Sequence, residues 1–434
     1  MAPRASESGE TVDILGIGLG PSNLSLAIAI EESNDQGRDA QRISSQFIET
    51  QPRFGWHDGM LLPGTTMQVS FLKDLVTLRT PSSSYTFLNY LGERGRLSDF
   101  INLKTFFPTR VEFHDYLSWA AARVSVPIEY GSTARRIEWR NGSFEVEVES
   151  YQSAAASPTR RTIYARNVVL GLGIEPVLPK NVTPSNRVFH NHRLLGVLKN
   201  VPPQTHGKFV VVGSGQSAAE IAAYLHERSP SAEVHISHRR FGYSPSDDTP
   251  YVNRIFDPDS VDHFFQAPAD VKRQLLEYHW LTNYSAVDAD LIGELYGREY
   301  QERVQGHQRI FVHRVTELHA LEEDAGGVTV VLRNLADESY VRIEADAVVL
   351  ATGFRPRSVR DVLGGSVSAQ FSGDNPKVER NYRLCVEENV AGAIYLNGGV
   401  EHSHGLSSSL LSNVAVRAAD ILDSIKAGLH ARRF

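Results

Sequence analysis

The chain has 434 residues, a hydrophobic fraction of 41% and a formal net charge of −7. This length allows two or three domains with large cores, and the acidic balance disfavours nucleic-acid binding, which usually needs a basic face. No apolar run approaches the roughly 20 residues of a membrane helix, and the N-terminal segment lacks the apolar core of a signal peptide. We therefore predict a cytoplasmic protein that acts on small molecules, without nucleic-acid or membrane partners.

A glycine-rich turn follows the first predicted strand, within residues 13–23. It contains Gly16, Gly18, Gly20, Pro21 and Ser22. A strand, a tight glycine turn and a helix form a dinucleotide fingerprint, in which the helix N-terminus holds a pyrophosphate. The next predicted strand ends at Glu49, and an acid at that position typically binds ribose hydroxyls. This first site is predicted to bind FAD or NAD rather than a nucleotide with a 2′-phosphate.

A second fingerprint occupies residues 210–220. Its turn contains Gly213, Ser214, Gly215, Gln216 and Ser217. The following strand, 233–237, runs into Arg239 and Arg240 without an acid. Arginine there can pair with the 2′-phosphate of NADPH; the alternative is that both arginines are solvated surface charges. Two fingerprints in one chain predict a redox relay between FAD and NADPH.

A second repeat supports two related units, because residues 167–176 are echoed at 347–356 as apolar strands that each end in a glycine turn and a proline. Continuous apolar runs favour central parallel strands. We predict an α/β fold with two Rossmann-like dinucleotide-binding domains and a small helical insertion, its helices at 260–278 and 288–305. The predicted boundaries are 1–185 and 351–434 for the FAD domain, 186–255 and 306–350 for the NADPH domain, and 256–305 for the substrate or lid insertion. The Ser/Ala-rich segment 151–161 is predicted to be a mobile surface connection.

Cysteine and histidine content narrows the chemistry further. Cys385 is the single cysteine, which excludes an internal disulfide and the redox dithiol of flavin disulfide reductases, and we interpret it as a packing residue. His402 and His404 are close in sequence, but no other ligand cluster accompanies them, so no metal site is expected.

Several segments carry a more specific pattern than either fingerprint. They are residues 56–60, 67–79, 85–91, 244–253, 282–285, 351–354 and 404–407. Together they resemble the microbial flavin-dependent N-hydroxylating monooxygenases, which hydroxylate the side-chain amine of L-ornithine or L-lysine, usually in siderophore biosynthesis. The resemblance extends from about residue 11 to 420, and the segments Met67–Leu75 and Phe87–Tyr90 are closer to the ornithine branch.

The resemblance implies roles for individual residues. Implied FAD contacts beyond the first turn are Glu49, Trp56, His57, Gln68, His404, Gly405 and Leu406. Implied substrate contacts are Lys73, Asn253, Asn283 and Ser407. Implied NADPH contacts are Arg110, the Ser214–Ser217 turn, Arg239 and Asn283. Asn283 would bridge nicotinamide ribose and substrate, and with Gln68 it is the expected catalytic pair. The resemblance also implies a homo-oligomer, a tetramer.

Simpler interpretations stand beside these roles. Lys73 could be a surface lysine, although its apolar neighbours favour a buried lysine that needs a partner. Asn253 and Asn283 could cap helices, as asparagine often does. The sequence also departs from the family at Ser408, where an Asp is common, and this departure leaves the chain length of the substrate open.

The expected reaction is hydroxylation of the side-chain nitrogen of L-ornithine. FAD reduced by NADPH would react with O2, and the resulting flavin hydroperoxide would transfer one oxygen atom to the amine. The amine must be neutral, although a free ammonium has a pKa of about 10.4, so the site must desolvate it. The alternatives are L-lysine or a diamine as substrate, a sulfide- or ketone-oxidising flavin monooxygenase, a flavin reductase, and a nucleotide-sensing protein.

Overall fold

The computed structural model describes residues 10–37, 42–151, 157–200, 207–387 and 390–433. Residues 1–9 and 152–156 lie outside the described residues, so the expectations for them stay predictions, whereas the end of the Ser/Ala-rich segment, from Thr159, begins a strand. Within the described ranges, no helix combines the length and the apolar character that crossing a membrane requires.

The first sheet is built mainly from the N-terminal part of the chain. In the described residues it has seven strands in the order β3-β2-β1-β6-β5-β4, with β19 also pairing with β6. The strands are β1 Val12–Ile17, β2 Ser45–Glu49, β3 Ile128–Tyr130, β4 Ser132–Arg140, β5 Ser143–Ser150, β6 Thr159–Leu170 and β19 Ala393–Leu396. Strands β3, β2, β1, β6 and β19 pair in parallel, while β4, β5 and the first half of β6 form an antiparallel meander.

The second sheet is parallel throughout, with the order β11-β10-β9-β15-β8 among the described residues. Its strands are β8 Val188–His190, β9 Lys208–Val212, β10 Glu233–His238, β11 Ile310–Arg314 and β15 Ala347–Leu350. All of them lie in sequence between β6 and β19, so the first sheet is completed only after the second. Two mostly parallel sheets confirm the predicted α/β fold class.

Smaller sheets cover and connect these two. They are the antiparallel group β12 Thr316–Glu323, β13 Val328–Asn334 and β14 Tyr340–Ala345, the pair β7 Ile174–Pro176 and β16 Phe354–Pro356, and the pair β17 Phe371–Ser372 and β18 Asn375–Pro376. Strands β7 and β16 are the proline ends of the repeat found in the sequence. They pair antiparallel, with Arg355 opposite Glu175, and thereby join the ends of β6 and β15.

The helices begin and end as follows. They are α1 Pro21–Gln36, α2 Phe87–Glu93, α3 Leu97–Leu103, α4 Arg110–Arg123, α5 Leu194–Leu198, α6 Gln216–Arg228, α7 Ser260–Gln266, α8 Ala269–Tyr278, α9 Ala289–Gln305, α10 Glu401–His404 and α11 Val414–Arg433. The helix predicted over 260–278 is in fact two helices, because Pro268 lacks an N–H group and keeps the preceding residue out of helical geometry. The helix predicted over 288–305 is α9, with Asp288 at its N-cap.

The two large sheets have separate cores. Ile14, Phe47 and Val168 of the first sheet are buried in one cluster with residues of α1 and α11. One face of the second sheet packs on α6, and its other face packs on β13, where Val330 and Leu332 are fully buried. Burying each such side chain stabilises the fold by about 1.5–3 kcal/mol. These rigid layers fix the positions of the turns at the carboxyl ends of the strands.

Candidate active site

Two helices begin at a glycine and lack a side-chain cap. Gly20 is the N-cap of α1 and Gly215 is the N-cap of α6, and neither first turn contains an acid. In contrast, the hydroxyls of Thr86 and Thr109 accept hydrogen bonds from the first turns of α2 and α4. Unpaired N–H groups at the positive end of a helix suit an anion. Both fingerprint helices are therefore open to a phosphate.

The fingerprint glycines serve different steric purposes. Gly18 has a φ of +82°, and a Cβ there would overlap the Gly171 carbonyl oxygen. Gly213 has a φ of +153°, and a Cβ there would overlap the carbonyl oxygen of Ala351. A Cβ on Gly16 would strike the Phe47 ring, whereas a Cβ on Gly20 would meet nothing within 4 Å. Only Gly20 thus leaves open space for a close-lying ligand, and the other three allow close packing of the chain.

A cavity of about 3000 Å³ connects the two fingerprint regions. Ligand sites usually enclose about 300–1,000 Å³, so this space suits more than one ligand. It lies at the carboxyl ends of the parallel strands, where α/β sheets bind ligands. The predicted residues that line it are Gly18, Gly20, Pro21, Ser22, Glu49, Trp56, His57, Gln68, Lys73, Arg110, Gln216, Ser217, Asn253 and Asn283.

Other predicted residues lie outside this lining. They are Gly16, Gly213, Ser214, Gly215, Arg239, His404, Gly405, Leu406 and Ser407. His404 is 1% exposed, stacks on Tyr382 at 4.2 Å between ring centroids, and hydrogen bonds to the Ser403 hydroxyl and the Arg380 carbonyl. Both its ring nitrogens are occupied by the protein, and burial lowers its pKa to about 3. The implied contact of His404 with FAD would therefore require a rearrangement and stays a prediction.

On the side of the first fingerprint, the Glu49 carboxylate accepts hydrogen bonds from the Leu19 N–H at 2.7 Å and the Gln51 N–H at 2.8 Å. It thus ties the glycine turn to the end of β2 while lining the cavity. Across the cavity, the segment before α11 contains buried side-chain polar atoms without hydrogen-bond partners, in Ser408, Ser412 and Asn413. Ser412 lines the same cavity as the open start of α1, and this space fits FAD.

Lys73, Asn253 and Asn283 all line the cavity. The Lys73 ammonium lies 5.6 Å from the centroid of the Phe256 ring. Burial lowers the pKa of Lys73, and the Asp257 carboxylate acts in the opposite direction. Lys73 is half-buried, so a surface lysine is not what the structure contains. A carboxylate bound beside the ammonium would offset its desolvation.

The two asparagines do not cap helix N-termini. Asn253 lies inside the 3-10 helix Val252–Phe256, and its side-chain amide donates to the Asp248 carbonyl at 2.8 Å. Asn283 follows the 3-10 helix Trp280–Thr282. Next to it, the Tyr284 hydroxyl donates to the Glu401 carboxylate, whose pKa is raised by burial. That bond holds the Asn283 segment against the start of α10.

The arginines near the second fingerprint differ in how free they are to bind a phosphate. Arg239 directly follows β10, is 73% exposed and pairs with Glu317 at 2.9 Å. Arg240 instead donates to the Ser285 carbonyl at 3.0 Å, a structural contact. Arg110 is held by the Glu220 carboxylate, with one N–O distance of 2.8 Å and another of 2.9 Å. A 2′-phosphate at the end of β10 would bind Arg239 in place of the Glu317 carboxylate, which is 22% exposed and also pairs with Arg333 at 2.6 Å.

Sequence reasoning did not single out Asp288 or Asn397. The Asp288 carboxylate accepts hydrogen bonds from Gln68 at 2.8 Å and Gln216 at 2.9 Å, so it joins an implied FAD contact to the start of α6. Asp288 stands at the start of a predicted helix, and this position could have identified it as a helix N-cap. Asn397 directly follows β19 and lines the cavity, and the rule that ligands bind beyond the carboxyl ends of parallel strands pointed to it.

Two uncapped fingerprint helices around one shared cavity define an oxidoreductase of the two-dinucleotide class. A profile of the L-lysine 6-monooxygenase/L-ornithine 5-monooxygenase family matches residues 10–356, and the chain belongs to this family. The family resemblance found in the sequence is thereby confirmed.

Individual relatives are similar over nearly the whole chain. An L-ornithine N(5)-monooxygenase of Burkholderia cepacia is 40% identical, covering 91% of this chain and 90% of that protein. The solved structure of the Kutzneria sp. 744 ornithine N-hydroxylase with FADred, NADP+ and L-orn has a TM-score of 0.91 and 39% identity, covering 96% of this chain and 99% of that one. An L-lysine 6-monooxygenase from Pseudomonas syringae has a TM-score of 0.81 and 30% identity, covering 96% and 100% of the two chains.

Proposed function

We propose that this protein uses FAD, NADPH and O2 to hydroxylate the side-chain nitrogen of L-ornithine. The observation that carries the proposal is one cavity whose lining includes the first fingerprint, the start of α6, Lys73, Asn253 and Asn283. The similar ornithine hydroxylases of Burkholderia and Kutzneria support this substrate.

Lys73 is the proposed anchor of the substrate carboxylate. Its ammonium is partly desolvated above the Phe256 ring, so an incoming carboxylate gains a charge-assisted hydrogen bond. Asn253 faces the same cavity and offers an amide to that carboxylate. A diamine lacks a carboxylate and would leave this anchor without a ligand. The anchor thus favours an amino acid over a diamine.

Asn283 is the proposed contact between the substrate and the nicotinamide ribose. The hydrogen bond between Tyr284 and Glu401 holds the segment that contains Asn283. The side-chain amide of Asn283 therefore lies on a turn whose position is fixed. A fixed distance from Lys73 to the reacting nitrogen would select one chain length, because misplacement by about 1 Å can cost on the order of a hundredfold in rate. The enclosing walls also favour the neutral amine by excluding water.

FAD is proposed to bind at the first fingerprint, where Gly18, Gly20 and Ser22 form the cavity wall, with Glu49 placed for the ribose. When bound, FAD passes two electrons from NADPH to O2, and one oxygen atom goes to the amine while the other leaves as water. Gln68, which is held by Asp288, is the proposed flavin neighbour on the opposite wall. NADPH is proposed to bind at the start of α6, with Arg239 on its 2′-phosphate.

The domain division follows from the same assignment. We assign residues 1–185 and 351–434 to the FAD domain, 186–255 and 306–350 to the NADPH domain, and 256–305 to the substrate insertion. The alternation of strands between the two large sheets supports this division. A cytoplasmic location and a role in siderophore or related hydroxamate biosynthesis stay predictions of the sequence resemblance.

A homo-oligomer, a tetramer by family resemblance, is also proposed. Its support in this structure is an apolar stripe along α9, where Tyr296, Tyr300 and Val304 are 64%, 51% and 65% exposed and recur every four residues on one face of the helix. Light scattering on the purified protein tests the assembly. A monomer at micromolar concentration would contradict it.

The substrate assignment is tested by incubating the purified protein with FAD and NADPH under air, with L-ornithine, L-lysine, cadaverine, putrescine or aspartate. Hydroxylamine formation and NADPH oxidation are measured together, since uncoupled oxidation yields only peroxide. We expect hydroxylated ornithine as the favoured product and poor coupling with L-lysine. A favoured hydroxylated lysine or diamine would contradict the substrate, and no hydroxylamine from any amine would contradict the reaction.

A further inference from the structure

Arg417, on α11, is a buried cation directly behind the first fingerprint. Its residue exposure is 1%. Its Nε donates to the Asn397 side-chain oxygen at 2.9 Å, its Nη1 to the Ser408 carbonyl at 2.6 Å, and its Nη2 to the Ser22 hydroxyl at 2.9 Å. One guanidinium therefore joins the C-terminal residues Asn397 and Ser408 to Ser22, which is 395 positions away in sequence.

The positive charge of this guanidinium is not balanced by an acid. In the part of the chain that the structure describes, the hydrogen-bond partners of Arg417 are neutral oxygens and it forms no ion pair. Burial lowers its pKa, as desolvation of a cation does. A buried charge is costly unless an opposite charge pairs with it. The surroundings of Arg417 thus lack one negative group.

The partners of Arg417 point toward the cavity. Ser22 and Asn397 both line it, and Ser22 lies in the uncapped first turn of α1. Because the Ser22 oxygen accepts from Arg417, its O–H is available to donate into the cavity. Asn397 donates to the Asn23 oxygen at 2.9 Å, and Asn23 donates to the Gly18 carbonyl at 2.7 Å, which extends the contacts of Arg417 into the glycine turn.

Ser408 lies beside this guanidinium without contributing a charge. Its hydroxyl is buried and has no hydrogen-bond partner, while its carbonyl accepts a hydrogen bond from Arg417. An Asp side chain at this position would place a carboxylate on a residue that already contacts the guanidinium. With Ser408 the positive charge is available to a ligand.

We propose that Arg417 is a positioning residue that supplies the counter-charge for the FAD diphosphate, acting through Ser22 and the glycine turn without touching the cofactor. This inference rests on the proposed binding of FAD at the first fingerprint. It assigns part of the FAD affinity to a charge behind the cavity wall that has no acidic partner among the described residues.

The test compares Arg417→Met, Arg417→Lys and Ser408→Asp with the parent protein after removal of flavin. FAD and riboflavin, which lacks the diphosphate, are titrated by flavin fluorescence, and the melting temperature of each apoprotein is recorded. Loss of a nearby charge should weaken FAD roughly tenfold or more in Arg417→Met and Ser408→Asp, with riboflavin binding changed less than about threefold. Arg417→Lys should recover most of the FAD affinity.

Each outcome decides the proposal. Unchanged FAD affinity in Ser408→Asp, or an equal loss of FAD and riboflavin binding, would overturn it and leave Arg417 a purely structural residue. If Arg417→Met gives no folded apoprotein, Ser408→Asp decides alone, because it keeps the guanidinium and adds a negative charge on a residue that contacts it. A parent protein that binds no FAD would instead contradict the proposed function.

Discussion

The two fingerprint helices begin alike but are supported differently. Behind the start of α1 lies a buried network of Arg417, Asn397 and Asn23, with exposures of 1%, 2% and 0%. At the start of α6, Gln216 instead bonds to Asp288 and Glu220, and Glu220 pairs with Arg110, while Arg239 at the end of β10 is 73% exposed. The same turn chemistry therefore occurs once beside a buried cation that has no acidic partner among the described residues, and once near a paired arginine and an exposed one.

This difference is the one expected between a resident and an exchangeable dinucleotide. Buried hydrogen-bond networks are rigid when every member is satisfied, which favours a ligand that stays bound. Exposed ion pairs contribute only about 0–1 kcal/mol, so a ligand phosphate can exchange with their carboxylate at little cost. We therefore expect FAD to be retained through turnover and NADP to leave after each cycle.

The largest effect is expected from glycine substitutions in the first turn. Gly18→Ala forces a side chain onto a backbone with a φ of +82° and against the Gly171 carbonyl, so we expect protein depleted of FAD and reduced in stability. Gly20→Ala meets no protein atom within 4 Å but faces the cavity, so it should lose FAD affinity while the apoprotein keeps its melting temperature.

The matched variant in the second turn is Gly213→Ala. Gly213 has a φ of +153°, and the Cβ added by this substitution would overlap the Ala351 carbonyl oxygen. It should retain FAD and raise the KM for NADPH. Flavin content after desalting and NADPH kinetics measure both effects. Equal loss of flavin in Gly18→Ala and Gly213→Ala would remove the distinction between the two sites.

Lys73→Met should have the next largest effect. A charge-assisted hydrogen bond contributes roughly 1.5–3 kcal/mol, so the KM for ornithine should rise about ten- to a hundredfold while NADPH still reduces the flavin. Lys180→Met, at an exposed lysine outside the cavity lining, is the control. Because burial lowers the pKa of Lys73, the parent KM should also rise with pH at values below the ordinary 10.5. An unchanged KM in Lys73→Met would exclude Lys73 as the carboxylate anchor.

Arg239→Ala tests whether Arg239 binds the 2′-phosphate of NADPH. Removing a cation from a 2′-phosphate should lower kcat/KM for NADPH by about tenfold and leave NADH nearly unaffected. The measurement is the ratio of kcat/KM for the two nucleotides. A variant that keeps the parent ratio would exclude Arg239 and make Arg110 or Arg240 the candidate.

The smallest effect is expected from Glu317→Gln, which removes the carboxylate that pairs with Arg239 at 2.9 Å. NADPH no longer has to displace this carboxylate, so its KM should fall by less than about threefold. Flavin content should not change. A raised KM for NADPH would mean that Glu317 holds Arg239 in its binding position rather than competing with the phosphate.

Local patterns predicted the layers of this molecule better than they predicted the details of its site. Apolar strands followed by glycine turns located both sheets, since that pattern is set by neighbouring residues. Pro268 is a local signal for the end of a helix. The prediction of one helix over 260–278 missed this signal because the residues on both sides have a helical pattern. The fingerprint pattern also does not reveal that a Cβ on Gly18 would overlap the Gly171 carbonyl oxygen, since Gly171 lies about 150 residues further along the chain.

Long-range contacts account for what sequence reasoning missed. Arg417 and Ser22 are 395 positions apart, and no local pattern relates them. Asp288 was readable as a helix cap, but its bonds to Gln68 and Gln216 depend on how the sheets face each other. His404 belongs to a recognisable motif, yet its burial beneath Tyr382 is a property of the packed fold.

The central claim is that an oxygen atom from O2 reaches the side-chain nitrogen of L-ornithine at the expense of NADPH. Turnover under ¹⁸O₂, with mass spectrometry of the product and parallel measurement of NADPH consumed, tests it most directly. We expect one labelled oxygen in N-hydroxylated ornithine for each NADPH oxidised. An unlabelled product, or NADPH oxidation that yields only hydrogen peroxide, would contradict it.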